Sequence, residues 1–266
     1  GPDMAKKKGR DVICGVHAVL AALERGPDRV RRLFIARGRK GRPADMAREL
    51  TEKAGIPVVE FASTALEEMA QTPQHQGLVA EVHPIPILTL EAFLEAQPAG
   101  RPPIFLLDGI QDPRNLGAIL RTAAALGAGG AVWPKDSAVD LTPSVVKAAA
   151  GGVETLPLAR VTNMARAVSA VKKAGYWAVA GDPEGEAVLG DTQLPWPTAL
   201  VLGGEGKGVR RLVRKNCDMG VRIPVSGGIV MSLNVSVAAG ILLHEIISRA
   251  GGSKPRKTRD SEYAKA

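Results

Sequence analysis

Residues 108–127 read DGIQDPRNLGAILRTAAALG. The apolar run Ile104-Phe105-Leu106-Leu107 stops at Asp108-Gly109, which predicts the end of a strand. After a short polar turn, Asp112 is placed to cap a helix and Pro113 sits at its first position, where the missing N–H costs nothing. Leu116, Ile119, Leu120 and Ala123 then recur at spacings of three and four, so one helical face is apolar. Gly127 is the natural stop. Open α/β sheets place ligands where a strand ends and a helix begins. Arg114, Asn115 and Arg121 ride on this unit, which makes it a candidate site on pattern alone.

The rest of the chain extends this unit into an α/β protein. Beyond it, strands are predicted at 131–133, 156–158, 176–180, 198–202 and 219–223, and helices at 143–150, 162–174, 208–215 and 233–249. The alternation predicts a mainly parallel sheet covered on both faces. The last helix is apolar nearly all round and must be buried in the core or at a subunit interface. Residues 11–83 predict a smaller α/β domain, with strands at 12–14, 30–36, 56–61 and 78–82. Its helices are expected at 15–25, 44–54 and 63–69. Ser63 is expected to open the last of these through an imperfect capping box. Five prolines between Pro84 and Pro103 mark residues 84–103 as a linker. The larger domain is expected over 104–249, with a scar and basic tail at 1–10 and a second basic tail at 250–266. Gly1-Pro2-Asp3 ahead of Met4 is set aside as an expression scar.

The 266 residues are 45% hydrophobic and 23% charged, as in a soluble globular protein. Only 3% are aromatic, which argues against holding single strands by stacking bases on exposed rings. A net charge of +8 and a pI of about 9.7 make nucleic acid the first candidate partner. Part of that charge lies in the tails, at Lys6-Lys7-Lys8, Arg10, Lys254, Arg256, Lys257 and Arg259. Cys14 and Cys217 are far apart and in no metal spacing, so reduced thiols and a cytoplasmic setting are expected. The apolar stretch 229–247 contains Ser232, Asn234, Ser236, His244 and Glu245, too polar for a membrane span.

Several chemistries fail on spacing. Gly203-Gly204-Glu205-Gly206-Lys207-Gly208 resembles a phosphate loop, but Val201 stands where the first glycine should be and Gly208 where the Ser or Thr should be. A dinucleotide fingerprint fails at Val209, and a zinc-protease motif fails at Ser248. No GxSxG elbow occurs. No metal site is therefore expected. Two backbone-rich loops are left, 203–208 after one strand and 224–234 after another. Their glycines let main-chain groups approach a ligand closely.

Together, three segments resemble the motifs of the SpoU class of SPOUT RNA methyltransferases. They are Asp112-Pro113-Arg114-Asn115-Leu116-Gly117 through Arg121, Leu200 through Gly208, and Arg222-Ile223-Pro224 through Ser232-Leu233-Asn234 to Ala238. Gly15-Val16-His17-Ala18-Val19 and His75-Gln76-Gly77-Leu78-Val79-Ala80 resemble the ribosomal-protein-like RNA-binding domain of the same class. The two-domain layout is most similar to enzymes that methylate guanosine 2′-hydroxyls of large-subunit rRNA. The resemblance implies a doubly wound sheet with a deep trefoil knot and a homodimer that uses the last helix. It implies S-adenosylmethionine bound at Gly203, Gly204, Gly208, Ile223, Pro224, Ser232 and Leu233. A tRNA methyltransferase, an antibiotic-resistance rRNA methylase and a non-catalytic RNA-binding assembly protein are the competing readings.

The resemblance also assigns roles. Arg121 would activate the 2′-hydroxyl, either as a base aided by a substrate phosphate or as a cation that stabilises the developing alkoxide. A guanidinium pKa above about 12 favours the second. Asn115 would orient Arg121 or the ribose, Glu205 would position one of them, and Ser232 and Asn234 would complete a polar wall. Arg31, Arg32, Arg37, Arg39, Lys40, Arg42 and Arg114 are expected to meet RNA phosphates.

Overall fold

The computed structural model describes residues 11–226 and 233–250. The basic tails and Ser232 lie outside the described residues. The first part of the chain forms β1 (Val12–Cys14), α1 (Val16–Arg25), β2 (Val30–Ala36), α2 (Arg42–Ala54), β3 (Val58–Phe61), α3 (Ser63–Ala70) and β4 (Leu78–Val82). Its strands make one sheet in the order β1-β4-β2-β3, with β4 antiparallel to both neighbours and β2 parallel to β3. Alternation along β4 sends Leu78, Ala80 and Val82 towards α1 and α2, and Val79 towards Leu66 of α3. Ser63 caps nothing: Ala62 occupies the cap position and its side chain offers no acceptor.

The second part forms α4 (Leu90–Glu95), β5 (Ile104–Asp108), α5 (Pro113–Leu126), β6 (Gly130–Pro134), α6 (Pro143–Ala148), β7 (Leu158–Val161), α7 (Met164–Lys173), β8 (Trp177–Gly181), β9 (Ala187–Val188), β10 (Thr198–Gly203), α8 (Arg211–Asn216), β11 (Met219–Arg222) and α9 (Val235–Ala250). The seven strands run β7-β6-β5-β10-β8-β11-β9, and every pairing is parallel. Phe105, Leu107, Leu200 and Leu202 pack on one face with α5 and α9. Ile104, Leu106, Ala199 and Val201 pack on the other with α7. The sheet is therefore buried on both sides, as an all-parallel sheet must be.

Local signals explain most boundaries. The Asp112 carboxylate accepts the Arg114 N–H, and Gly127 takes the left-handed conformation at φ 80°, so α5 begins and ends where expected. β7 starts later than expected, after Pro157, which has no N–H to give the ladder. The stretch 84–103, read as a linker, packs onto the larger sheet: Leu88 bridges to Ala159, and Leu90 and Phe93 are buried.

α6 joins the two sheets. Val146 packs against the cores of both, and Lys147 Nζ donates to Gln74 Oε1 at 2.9 Å. Just after α6, the Glu154 carboxylate takes both arms of the Arg29 guanidinium, with Nε at 2.9 Å from Oε2 and Nη2 on Oε1. Both side chains are almost wholly buried.

Candidate active site

The three loops that carry the sequence motifs meet at one point. Asn115 sits in the first turn of α5 with its amide turned inwards, and the residue is 6% exposed. Its Nδ2 donates to Glu205 Oε1 at 2.6 Å. Asn234 Nδ2 donates to Asn115 Oδ1 and to Glu205 Oε1, both at 3.0 Å. The Asn234 Oδ1 in turn accepts the Ser236 N–H at 2.8 Å, so Asn234 also caps α9. One carboxylate oxygen thus gathers two amides from two helix starts. The N-terminal ends of α5 and α9 favour a negative charge at that place.

This polar knot stands at the mouth of a cavity of about 690 Å³, outside the carboxyl ends of β8, β10 and β11. Gly203, Gly204 and Gly208 supply its backbone edge; Leu202, Ile223 and Leu242 are among its apolar walls. The glycines are required. A Cβ on Gly203 would lie 1.9 Å from the Gly208 carbonyl carbon, and one on Gly204 would lie 2.4 Å from Gly109 O. The loop is closed on itself by Gly208 N–H donating to Gly204 O at 2.9 Å.

A buried ion pair holds this loop in place. Asp108 ends β5 opposite Gly203 and is 1% exposed. Its Oδ1 accepts from Arg210 Nε at 2.8 Å and Nη2 at 2.6 Å, and its Oδ2 accepts the Arg210 N–H at 2.8 Å. Its main-chain O accepts from Gly204 N at 3.2 Å. Asp108 therefore ties both ends of the loop that presents Glu205. Hydrogen bonding to Asp108 holds the Arg210 pKa above its ordinary value. The same tie keeps residues 208–210 out of α8, which begins at Arg211 rather than at 208. Asp108→Asn removes the charge, and hydrogen bonds to charged groups contribute about 1.5–3 kcal/mol. Arg210 is half exposed, so the low end applies: ligand affinity of the cavity should fall about tenfold, read by calorimetric titration. Unchanged affinity would mean that the loop holds its shape without Asp108.

Arg214 supports the opposite wall. Its Nε donates to Asp182 at 2.8 Å and its Nη2 to Glu186 at 2.7 Å, and Glu186 also accepts the Gly220 N–H. Hydrogen bonding to Asp182 raises the Arg214 pKa. Asp182 is a second carboxylate on the cavity lining.

Residues 102–244 match the model of the SpoU rRNA methylase family, and residues 12–88 match that of the substrate-binding domain of RNA 2′-O-ribose methyltransferases. The chain belongs to the SpoU rRNA methylase family. It is 43% identical to the 23S rRNA (guanosine-2′-O-)-methyltransferase RlmB of Pseudomonas aeruginosa, over 88% of this chain and 95% of that protein. It is 41% identical to the RlmB of Shewanella oneidensis, over 90% of this chain and 98% of the relative. Among solved structures it resembles the SpoU methyltransferase AviRb of Streptomyces viridochromogenes in complex with AdoMet. There the TM-score is 0.74 at 28% identity, covering 93% of this chain and 94% of that one.

In this SpoU methylase Arg121 and the expected RNA-contact residues lie away from that cavity. Arg121 is exposed and faces away from the cavity. It lies six positions after Asn115 along the helix, a rotation of about 240°, and it borders a second cavity next to α1. Glu205 therefore binds Asn115 and Asn234 and not Arg121. The expected RNA-contact residues split between the two ends of β2. Arg31 and Arg32 are exposed at its start, with Arg31 3.6 Å from Glu81, while Arg37, Lys40 and Arg42 are exposed beyond its end. Arg39 is half-buried, its aliphatic part lying under Gly77. Arg114 is exposed beside Asp112. Leu233 and Pro224 line the first cavity. Asp108, Arg210, Asp182 and Arg214 were not expected. Asp108 carried a signal, a carboxylate closing an otherwise apolar strand; the others carried none.

Among the described residues, no cluster of His, Cys, Asp or Glu could hold a metal, and no helix is long and apolar enough to cross a membrane.

Proposed function

We propose that the chain transfers a methyl group from S-adenosylmethionine to the ribose 2′-hydroxyl of a guanosine in 23S rRNA. The observation that carries this reading is the joining of Asn115, Glu205 and Asn234 at the mouth of the glycine-edged cavity. The cavity suits the cofactor. Its apolar walls fit an adenine, its glycine backbone fits the polar edges, and Asp182 and Glu205 suit a cationic ligand. Gly203, Gly204, Gly208, Ile223, Pro224 and Leu233 would hold it, with Ser232 assigned from the motif alone. When bound, S-adenosylmethionine supplies an electrophilic methyl group on a sulfonium, which calls for no metal.

The protein's own task is to align the 2′-oxygen and to ease loss of its proton. Asn115, fixed between Glu205 and Asn234, would orient the ribose. Arg121 would remain cationic and stabilise the forming alkoxide. In a single chain Arg121 does not reach the cavity, so a second copy would supply it. Leu233, Val237 and Ile241 support such a homodimer: they are 37%, 51% and 39% exposed and spaced four apart at and along α9. The all-round apolarity of this helix then has an account on both faces, core on one and subunit interface on the other. The trefoil knot is part of this proposal, as is the division into an RNA-binding domain over 11–83, a connection over 84–103 and a catalytic domain over 104–249. The basic residues at 31–32 and 37–42 would engage phosphates.

The test is methyl transfer from labelled S-adenosylmethionine to 23S rRNA and to tRNA, with the modified ribose mapped. Label in 2′-O-methylguanosine of 23S rRNA is the expected result. Label confined to tRNA, or absent from both, would overturn the reading.

A further inference from the structure

The seam between the two sheets holds a second cavity, of about 390 Å³. One side is the outer face of α1, with His17, Ala21 and Arg25. The other is the flank of α5, with Arg121 and Ala125, and the turn 149–152. Its size lies within the usual range of small-ligand sites, roughly 300–1,000 Å³.

The turn is built for close approach. A Cβ on Gly151 would lie 2.4 Å from the Ala21 Cβ, and one on Gly152 would lie 3.2 Å from the Arg121 Cα. These two glycines bring α1 and α5 to the two sides of one narrow cleft. Ala150 between them and α6 holds φ at 47°, a left-handed conformation that costs a non-glycine residue about 1–3 kcal/mol. The Arg29–Glu154 ion pair and the Lys147–Gln74 bond span the same seam, and Glu154 closes this turn.

The lining has a definite chemistry. Its apolar part is made mostly of small side chains: Ala21, Ala124, Ala125, Ala149 and Ala150, with Leu20. Its rim carries the imidazole of His17 and the guanidiniums of Arg25 and Arg121, and neither arginine has a hydrogen bond or ion pair among the described residues. A small-residue apolar lining beside two unpaired cations fits a planar base with a phosphate attached. Sequence-reading proteins take such bases unstacked and splayed out of the strand.

We propose that this cleft receives one nucleotide of the RNA substrate, with its base on the alanine lining beside His17 and its phosphate at Arg25 and Arg121. The proposal rests on the RNA methyltransferase reading and makes it more specific. It places a residue of the substrate-binding part next to the arginine assigned to the chemistry, so that Arg121 serves both the cleft and methyl transfer.

Two measurements test it. The first is photocrosslinking of the full chain to 23S rRNA transcribed with 6-thioguanosine, in the presence of S-adenosylmethionine. Crosslinks are expected in peptides covering 17–25 and 149–155; their absence there, with crosslinks confined to 31–42, overturns the proposal. The second is the double variant His17→Ala, Arg25→Ala, at exposed positions. It should raise the KM for 23S rRNA about tenfold and flatten the salt dependence of binding by roughly one phosphate contact. Its affinity for S-adenosylmethionine and its melting temperature should not change. A KM and salt slope equal to the parent's count against the cleft. Crosslinking needs no turnover. Crosslinks in the cleft without methylation of 23S rRNA would sink the functional reading alone, and methylation with crosslinks only elsewhere would sink the cleft alone.

Discussion

Gly203→Ala is expected to weaken S-adenosylmethionine binding by about five- to a hundredfold, from an overpacking cost of ~1–3 kcal/mol. The added methyl would stand 1.9 Å from the Gly208 carbonyl carbon, 2.0 Å from its oxygen and 2.1 Å from Val209 N. All three are backbone atoms, so no rotamer change can make room. The loop cannot retreat as a body either, because Asp108 holds it at Gly204 and at Arg210. The strain must open the loop, and Glu205 leaves its place against Asn115 and Asn234 with it. Calorimetric titration with S-adenosylmethionine reads the loss. Circular dichroism should report an intact fold, since the sheet core lies below the loop. Parental affinity in this variant would show that the loop 203–208 does not form the cofactor edge.

Arg121→Ala is expected to reduce the single-turnover rate of methyl transfer by about 10²–10³, the effect of removing a group that stabilises a developing oxyanion. Cofactor affinity should be little changed, because Arg121 is assigned to the 2′-hydroxyl and does not line its own chain's cavity. Arg121→Lys should recover part of the rate, since it restores the charge without the planar fork. A rate for Arg121→Ala within about threefold of the parent would remove Arg121 from the chemistry. The same variant reports on subunit sharing. Equimolar mixing of Arg121→Ala and Gly203→Ala chains leaves one intact site in each mixed dimer if the partner supplies the arginine. With random exchange half the dimers are mixed, so roughly a quarter of the parental activity should return. No recovery on mixing would place both residues in the site of one chain.

The architecture was legible where local chemistry decides it. Asp112, Pro113 and Gly127 fix both ends of α5, and short, nearly continuous apolar runs mark β4 and β10. Two-residue β9 has no periodicity to read, and its pairing with β11 is a long-range event. The late start of α8 depends on a bond from Arg210 to a carboxylate a hundred residues earlier in the chain. The site was half legible. The resemblance grouped Asn115, Glu205 and Asn234, which no spacing rule could, because they lie on three loops. The helical period alone separates Arg121 from Asn115, yet what lies beside Arg121 depends on how α1 docks on the turn 149–152. That docking rests on glycines at 151 and 152, whose use shows only when the partner helix is present.

The order of strands in the larger sheet carries a consequence for how the chain folds. β5, β6 and β7 are neighbours in both sequence and space, and they can zip together as soon as their connecting helices form. β8 has no such partner, for it pairs only with β10 and β11, both later in the chain. During synthesis β8 must wait, an apolar strand with two open edges, until β10 arrives and slots between it and β5. The strand whose last residue is Gly203 is thus also the keystone of assembly, and the glycine edge of the cavity is completed in the same step that closes the sheet.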